Sequence, residues 1–270
     1  METLETKGIK FVDGETEIVE DFLTVEAPLQ INVNHKPYTV TMRTPGADEY
    51  LVRGLLHAEE VYQGDEALTV DIVSNKFGGE TIVNVNIPKE KLGSGYARQR
   101  TLVSVSSCGV CGKRELGDLE YSMQELTNEK QLNIESLESM FDKMSQYQAS
   151  FHKSGGCHAA SIFNNSGEML AVKEDIGRHN AVDKVIGEIL QLGLSSESDI
   201  LLVSGRVSYE VLTKTSLAKI PILAAISAPS SMAVASAESM GITLLAFCRK
   251  GKATCYTHSG RVRVPSDELI

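Results

Sequence analysis

The chain has 270 residues, of which 42% are hydrophobic and 23% charged, and it carries a formal net charge of −10. This composition is ordinary for a soluble globular protein of one or two domains, and the acidic balance argues against a general nucleic-acid-binding surface. No apolar run is long enough for a transmembrane helix, and the polar, acidic N-terminal segment lacks the features of a secretory signal, so we expect a cytoplasmic protein that does not contact a membrane.

The first half of the chain alternates β-prone runs with one helical segment. Residues 16–42 contain short β-prone pieces, and Asn34 and His35 are typical of a hairpin turn between the last two. After them, Thr44 predicts a helix cap and Pro45 the first helical position. Two more strand-like runs follow. This half therefore predicts a small α+β unit with a mostly antiparallel sheet.

The second half alternates strands with helices from about residue 158 onward. This order predicts βαβ units and a mostly parallel sheet with helices on its faces. The polar segment 118–148 has helical spacing and connects the halves, so we predict a small N-terminal α+β domain over 1–147 and an α/β domain over 148–270. In such sheets ligands bind beyond the carboxyl ends of the strands, where this sequence has the segments KEDIGRHN, SGRVSYE, SAPSS and FCRKGK.

Two cysteines, Cys108 and Cys111, lie in the segment SSCGVCGKREL. The chain has five cysteines, and an odd number in the reducing cytoplasm disfavours a disulfide framework. C-x-x-C is half of a common structural zinc site, but the sequence contains no second half. A thioredoxin-like dithiol opens a long helix within a βαβ unit, whereas here two glycines follow closely and the βαβ units come later.

A third interpretation of the pair is a mobile thiolate that accepts sulfur and passes it on. Only the thiolate is nucleophilic, and the positive charge of Lys113 and Arg114 favours it. Glycines beside each cysteine give the loop, about residues 104–114, its reach, and the second cysteine can attack or stabilise a persulfide on the first. A surface loop with incidental thiols is the remaining alternative.

Three segments of the second half carry residues typical of anion binding. KEDIGRHN has Arg178 and His179 at a strand-to-helix junction, where a helix N-terminus favours anions. SGRVSYE repeats the arrangement with Arg206, which can hold a phosphate in bidentate fashion. Residues 247–264 are rich in Lys and Arg and contain no acidic residue, although a solvated basic edge strand would have the same composition. The P-loop and Rossmann glycine patterns are absent.

Five ordered motifs resemble those of the FdhD/NarQ family, the formate dehydrogenase accessory sulfurtransferases. They are SSCGVCGK, SGGCHAA, KEDIGRHNAVDK, SGRVSYE, and GITLLAFCRKG followed by CYTH. The resemblance covers nearly the whole chain; its one visible departure is Ser-Gly-Gly-Cys at 154–157 in place of the family's Thr-Gly-Gly. It implies a cytidine-deaminase-like three-layer α/β/α domain without zinc, preceded by a small α+β domain, and a homodimer.

The resemblance also implies a function. Sulfur would pass from a cysteine desulfurase to the molybdenum or tungsten bis-pterin guanine dinucleotide cofactor before that cofactor enters formate dehydrogenase. Carried over by position, Cys108 would hold the persulfide and Cys111 would assist. The segment implied to contact the cofactor's guanine nucleotide consists of Phe247, Cys248, Arg249, Lys250, Gly251 and Lys252, to which we add Arg206. Two other functions stay open, a chaperone that binds the cofactor without transferring sulfur and a dithiol oxidoreductase.

Overall fold

The computed structural model describes residues 2–75, 80–97, 125–127 and 130–264. The strands in these ranges are β1 (Thr3–Val12), β2 (Glu15–Thr24), β3 (Ala27–Val33), β4 (Lys36–Arg43), β5 (Val70–Asn75), β6 (Thr81–Val85), β7 (Leu132–Asn133), β8 (His158–Phe163), β9 (Met169–Asp175), β10 (Ile200–Val203), β11 (Ile222–Ala225), β12 (Thr243–Arg249), β13 (Lys252–Thr257) and β14 (Val262–Arg263). The helices are α1 (Asp48–Ala58), α2 (Ser94–Ala97), α3 (Ser136–Gln146), α4 (Ala149–Ser154), α5 (Arg178–Leu192), α6 (Tyr209–Leu217) and α7 (Ser231–Ser239). No helix in this part of the chain is both long and apolar enough to cross a bilayer.

Strands β1 and β2 form a two-stranded antiparallel ribbon at the start of the chain. Most of its residues are exposed, whichever face of the ribbon they occupy. At its base, Thr24 Oγ1 lies 2.7 Å from Ser154 Oγ, and the Lys153 ammonium lies 5.9 Å from the centroid of the Phe22 ring. The sequence pattern predicts β2 and misses β1, because a strand exposed on both faces has no two-residue apolar period.

Strands β3 to β6 form a four-stranded sheet in the order β4-β3-β6-β5. Only the β3–β6 pair is parallel, so the predicted antiparallel majority is confirmed. The β3–β4 turn lies at Asn34 and His35, which have φ of 51° and 64°, as a two-residue hairpin turn requires. Helix α1 packs Leu51, Leu55 and Leu56 into the core of this sheet.

Helix α1 begins later than the sequence predicts. Its N-cap is Ala47 and its first residue is Asp48. Thr44 is buried instead: its hydroxyl accepts a hydrogen bond from the Ile176 N–H at 3.0 Å, and its own N–H donates to the Asp175 carboxylate at 3.2 Å. The predicted helix start at Thr44 is therefore wrong, because contacts with the second half of the chain engage the groups that would cap the helix.

The second half contains a six-stranded sheet in the order β13-β12-β11-β10-β8-β9. Strands β10, β11 and β12 are parallel neighbours, but the other three pairings are antiparallel. By pairing, the predicted parallel majority is therefore wrong, although β9 runs in the same direction as β10, β11 and β12. Strands β8 and β9, like β12 and β13, are joined by short turns, and a short turn permits only antiparallel pairing.

Helices cover both faces of this sheet. On one face α5, α6 and α7 pack against Ile162, Leu201 and Leu223. On the other face α3 packs against Phe163 and Leu202. The strand residues alternate between the two cores because successive side chains of a strand point to opposite faces. The order is helix, sheet, helix; a relation to cytidine deaminases stays a prediction.

Helices α1 and α5 cross at two glycines and join the cores of the two large sheets. A Cβ atom on Gly54 would lie 1.9 Å from the Asp183 carbonyl oxygen, and a Cβ atom on Gly187 would lie 1.8 Å from the Tyr50 carbonyl oxygen. The two backbones can approach this closely because glycine has no Cβ. The crossing therefore fixes the four-stranded sheet and its helix against the six-stranded sheet.

The segment between the sheets packs with the second half of the chain. Helix α3 belongs to the core on one face of the six-stranded sheet, and β7 pairs with β14 near the end of the chain. Residues 132–146 therefore lie with the second half in space, although the predicted domain over 1–147 includes them. The division into 1–147 and 148–270 stays a prediction.

Candidate functional site

The carboxyl ends of β9, β10, β11 and β12 lie along one edge of the six-stranded sheet, named here the carboxyl edge. Because β8 and β13 run antiparallel to β10 and β12, both strands begin at the same edge. The motif segments at His158, Arg178, Arg206 and 247–252 therefore meet there, as the sequence predicts. Strands β10 and β12 are two positions apart in the sheet, which corresponds to about 10 Å.

Arg206 is exposed in the loop that follows β10. Ser204 fixes the start of this loop through two hydrogen bonds with the β8 backbone, of 2.9 and 3.0 Å. A Cβ atom on Gly205 would lie 3.2 Å from Arg178 Cβ and 3.4 Å from His158 Nδ1. The glycine therefore lets a second arginine and a histidine pack closely beside the loop that carries Arg206.

The β12–β13 hairpin carries the predicted nucleotide-binding segment. Phe247, Lys250 and Gly251 have φ of 55°, 54° and 68°, and the pairing register shifts before Arg249 meets Lys252. This backbone turns the chain sharply at the hairpin tip. The side chains of Arg249, Lys250 and Lys252 are all exposed there, so three cations surround the tip.

The described thiols are protonated at neutral pH. Cys248 is buried in the core beneath α3, and burial raises its pKa to about 11. A ligand at the hairpin tip would therefore meet the backbone of Cys248 and not its thiol. Burial also raises the pKa of Cys255 and of Cys157, whose Sγ lies 3.5 Å from Thr24 Oγ1. Since the thiolate is the reactive form, these three side chains are poor nucleophiles.

Cys108 and Cys111, with the loop 104–114, lie outside the described residues. Their roles as persulfide carrier and assistant stay predictions from the sequence. Within the described ranges, no three or more His, Cys, Asp and Glu side chains are grouped in a way that could hold a metal ion.

A cluster of polar side chains lies between α5 and α6, next to the loop that follows β10. His179 Nδ1 is 3.0 Å from Glu210 Oε2, and His179 Nε2 is 3.2 Å from Ser208 Oγ. Burial lowers the pKa of His179 to about 4, and the charges of Lys214 and Arg178 act in the same direction while Glu210 opposes them. The imidazole is therefore neutral at neutral pH.

His158 is the second imidazole of the carboxyl edge. Its pKa is also lowered, first by burial and then by the nearby charges of Arg178 and Arg206. Its Nδ1 lies 3.5 Å from Ser204 Oγ. Arginine keeps its charge in proteins. The two imidazoles are therefore neutral, and the Arg178 and Arg206 guanidinium groups near His158 are donors suited to an anionic ligand, while Asp175 and Glu210 supply negative charge nearby.

A buried ion pair lies beneath the cluster. Lys214 Nζ is 2.6 Å from each carboxylate oxygen of Asp183 and 3.4 Å from Glu210 Oε1. Burial raises the pKa of Asp183 to about 6, against the attraction of Lys214, so this carboxyl is ionised at neutral pH. Lys214 therefore connects Asp183 on α5 to Glu210 on α6 and holds the Glu210 carboxylate in place.

Two other residues of the KEDIGRHN motif, Asp175 and Asn180, make contacts that stabilise the fold. The Asp175 carboxylate accepts a hydrogen bond from the Gly177 N–H at 2.8 Å and lies 2.8 Å from the buried Lys184 ammonium. The Asn180 side chain donates to the Met42 carbonyl oxygen at 2.8 Å. These contacts hold the start of α5 against the end of β4.

The sequence pattern misses the contact of His179 with Ser208 and Glu210. The signal that could have found it is the segment SGRVSYE, in which a serine and a glutamate lie two residues apart at a helix start. No local rule selects the histidine that these two side chains meet, because His179 and Ser208 are 29 residues apart in sequence.

Comparisons with known proteins agree on one family. The model of the FdhD/NarQ family matches residues 24–263. The chain is 43% identical over 255 residues to the sulfur carrier protein FdhD of Mycobacterium bovis, covering 89% of this chain and 91% of that protein. It is 37% identical over 263 residues to the sulfur carrier protein FdhD of Sulfolobus acidocaldarius, covering 97% of this chain and 99% of that protein.

The fold is similar to that of a solved structure. A protein from Desulfotalea psychrophila, described as a formate dehydrogenase accessory protein, superposes with a TM-score of 0.76 over 97% of this chain and 99% of its own length. The two sequences are 23% identical, so this likeness bears on the fold. Since the family model and the curated relatives cover most of its length, the chain belongs to the FdhD/NarQ family.

Proposed function

We propose that this protein is a cytoplasmic sulfurtransferase that serves the maturation of formate dehydrogenase. The observation that carries the proposal is the family match over residues 24–263, a range that contains Cys108 and Cys111. The relatives reported above are named sulfur carrier proteins. The similar structure is described as a formate dehydrogenase accessory protein.

The first step is the acceptance of sulfur by Cys108. Its thiolate attacks the terminal sulfur of a persulfide on a cysteine desulfurase. A sulfur–sulfur bond forms on Cys108, the bond within the donor persulfide breaks, and the desulfurase cysteine leaves as a thiolate. Cys111 assists by attacking or stabilising the new persulfide. The described cysteines are unsuited to this step because burial raises their thiol pKa values.

The sulfur then goes to the cargo, a molybdenum or tungsten bis-pterin guanine dinucleotide cofactor. The residues of the carboxyl edge fit a ligand that carries phosphates, because Arg206, Arg249, Lys250 and Lys252 are all exposed there. Guanidinium and ammonium groups are the usual hydrogen-bond donors to phosphate in proteins. Phe247 presents an exposed ring at the same hairpin, suited to contact a base. A cytidine-deaminase-like domain without zinc is part of this proposal, and the helix–sheet–helix order supports it.

A loading assay tests the carrier role. The protein is incubated with a desulfurase and cysteine, and cyanide-releasable sulfur is measured. We expect sulfur on the wild type and essentially none on Cys108→Ala. Cys157→Ala is the matched control, because that buried thiol has a raised pKa, and it should load as the wild type does. Equal loading of Cys108→Ala and wild type would contradict the carrier role.

A second assay separates sulfur transfer from cofactor binding alone. A chaperone without sulfur chemistry would still support an active formate dehydrogenase when it carries Cys108→Ala, whereas a sulfur carrier would not. Reduction of insulin disulfides by the wild type with a thioredoxin partner would favour the dithiol oxidoreductase instead.

A titration with GDP tests the cofactor site. Loss of one charged hydrogen bond to phosphate costs about 1.5–3 kcal/mol, so Arg249→Ala and Lys252→Ala should each weaken GDP binding about 10- to 150-fold by calorimetry. Lys10→Ala is the charge-matched control, because Lys10 lies on the β1–β2 ribbon, outside the six-stranded sheet, and pairs with Glu17 there at 3.0 Å. Equal losses of GDP affinity in all three variants would mean that GDP binding depends on the net charge of the protein and not on these two side chains.

The proposal includes a homodimer and binding of both the desulfurase and formate dehydrogenase. The ribbon supports a protein contact, since Ile9, Phe11 and Ile18 share one of its faces and are 65%, 76% and 78% exposed. Neighbouring exposed apolar side chains of this size mark interaction surfaces. Light scattering of the wild type and of the Ile18→Asp variant measures the molar mass and so the oligomeric state. A monomeric wild type would contradict the homodimer.

A further inference from the structure

Ser208 occupies a capping position but does not cap. It is the N-cap residue of α6, with extended backbone, yet its hydroxyl makes no capping hydrogen bond. Ser230, the N-cap of α7 after the next strand, accepts from the Ala233 N–H at 3.1 Å. A serine cap typically stabilises a helix by about 1 kcal/mol. The hydroxyl of Ser208 makes no capping hydrogen bond to the start of α6 and instead lies 3.2 Å from His179 Nε2.

The other two residues of the contact are arranged for proton transfer. His179 Nδ1 lies 3.0 Å from Glu210 Oε2, so the carboxylate accepts the Nδ1 proton and leaves Nε2 as a hydrogen-bond acceptor toward Ser208. Lys214, 3.4 Å from Glu210, holds the carboxylate. A hydroxyl, an imidazole and a carboxylate in this order form the geometry of a nucleophile with its general base.

We propose that Ser208, His179 and Glu210 form a relay that makes the Ser208 hydroxyl a nucleophile toward phosphate esters. The anionic substrate class follows from the two guanidinium groups near the relay, because guanidinium is suited to bind phosphate. Arg178 packs against Gly205, and the charges of Arg178 and Arg206 both act on His158 in the same edge of the sheet. Ser208 itself is partly exposed. This activity goes beyond sulfur transfer and uses no residue of the cysteine loop.

The step balances without a further reactant except water. The Ser208 oxygen attacks phosphorus, the oxygen–phosphorus bond forms, and the bond to the leaving alcohol breaks. The hydroxyl proton moves to His179 Nε2 and from there to the leaving oxygen. Water then attacks the phosphoserine by the reverse proton route and releases inorganic phosphate, which restores the hydroxyl.

An alkyl fluorophosphonate is the probe for the nucleophile. Attack by Ser208 displaces fluoride and leaves a stable phosphonyl adduct that peptide mass spectrometry locates. We expect this adduct on Ser208 in the folded wild type and its loss in Ser208→Ala. General-base catalysis typically contributes at least about 100-fold, so His179→Gln and Glu210→Gln should slow labelling by that factor. Ser230→Ala, the matched N-cap serine, should label at the wild-type rate.

The pH dependence of labelling distinguishes His179 from a histidine with an ordinary pKa as the general base. The groups that face His179 are Glu210 and Lys214 on α6, Arg178 on α5 and His158 on β8. With a pKa of about 4, the imidazole is about 99% neutral at pH 6, whereas an ordinary histidine would be about one quarter neutral. Labelling should therefore be equally fast at pH 6 and pH 8.

Either of two labelling results would overturn the proposal. One is a folded wild type, verified by circular dichroism, that shows no adduct on Ser208. The other is labelling of Glu210→Gln and His179→Gln at the wild-type rate, which would make the contact structural. Turnover of p-nitrophenyl phosphate in preference to p-nitrophenyl acetate supports the anionic class, and cleavage of the acetate alone refutes it.

Discussion

Replacing Gly187 by alanine should loosen the crossing of α1 and α5. The new Cβ would lie 1.8 Å from the Tyr50 carbonyl oxygen, and ordinary contact begins at 3.4 Å, so the helices must separate locally by about 1.6 Å and lose packing. Overpacking costs about 1–3 kcal/mol. We expect a cost near the upper value, because the contact is between the backbones of two helices and no flexible side chain can move aside. Alanine gains about 1 kcal/mol of helix propensity. The expected net loss is about 2 kcal/mol.

Thermal and urea unfolding measure this loss. For a protein of this size, about 2 kcal/mol corresponds to a fall in Tm of about 4–8 °C. Gly54→Ala should cost a similar amount, and the double variant less than the sum, because one separation accommodates both methyl groups. Gly260→Ala is the control, since a Cβ there meets nothing within 4 Å. An unchanged Tm in Gly187→Ala would show that the crossing of α1 and α5 does not require glycine at this position.

Three further predictions concern buried ionisable groups. The pKa of His179 falls from 6.5 in the unfolded chain to about 4 in the folded chain, so the unfolded state binds more protons below pH 6.5. This residue alone should therefore cost the wild type about 2 kcal/mol of stability when the pH falls from 7.5 to 5. Urea unfolding of His179→Gln should lack this loss, and an equally steep fall in the stability of the variant would contradict the prediction. Arg43 donates to both Asp48 carboxylate oxygens at 2.8 and 2.7 Å, so Arg43→Lys, which cannot form the bidentate pair, should lower the free energy of unfolding by about 2 kcal/mol. Lys214→Met leaves the Asp183 carboxylate buried without its partner and should cost about 3–5 kcal/mol; adding Asp183→Asn should restore part of it, and a double variant as unstable as the single one would argue against the pair.

Local sequence patterns predict most of the second half of the chain. The apolar runs of β10 and β11 are buried throughout, as continuous apolar strands in a covered sheet should be. Helix α5 ends before Gly193, whose φ of 71° is the left-handed conformation that glycine provides at a helix end. Such signals depend on a few neighbouring residues, so the sequence alone contains them.

The wrong predictions concern groups whose partners are distant in sequence. Thr44 has the chemistry of a helix cap, but Asp175 and Ile176 engage its backbone and hydroxyl. The alternation of strands and helices indicates a parallel sheet, but pairing direction depends on which strands become neighbours, and β8 lies between β9 and β10. Neither outcome follows from local propensity, because both depend on contacts formed only in the folded chain.

The family motifs, the cysteine pair at Cys108 and Cys111, and the cationic segments at the strand ends can be recognised in the amino-acid sequence without a structure. The contact of the motif histidine His179 with Ser208 and Glu210, and the burial of the Cys248 thiol in the core, become visible only in the folded chain. A motif specifies residue types and their spacing along the chain, whereas these contacts form only when segments distant in sequence pack together.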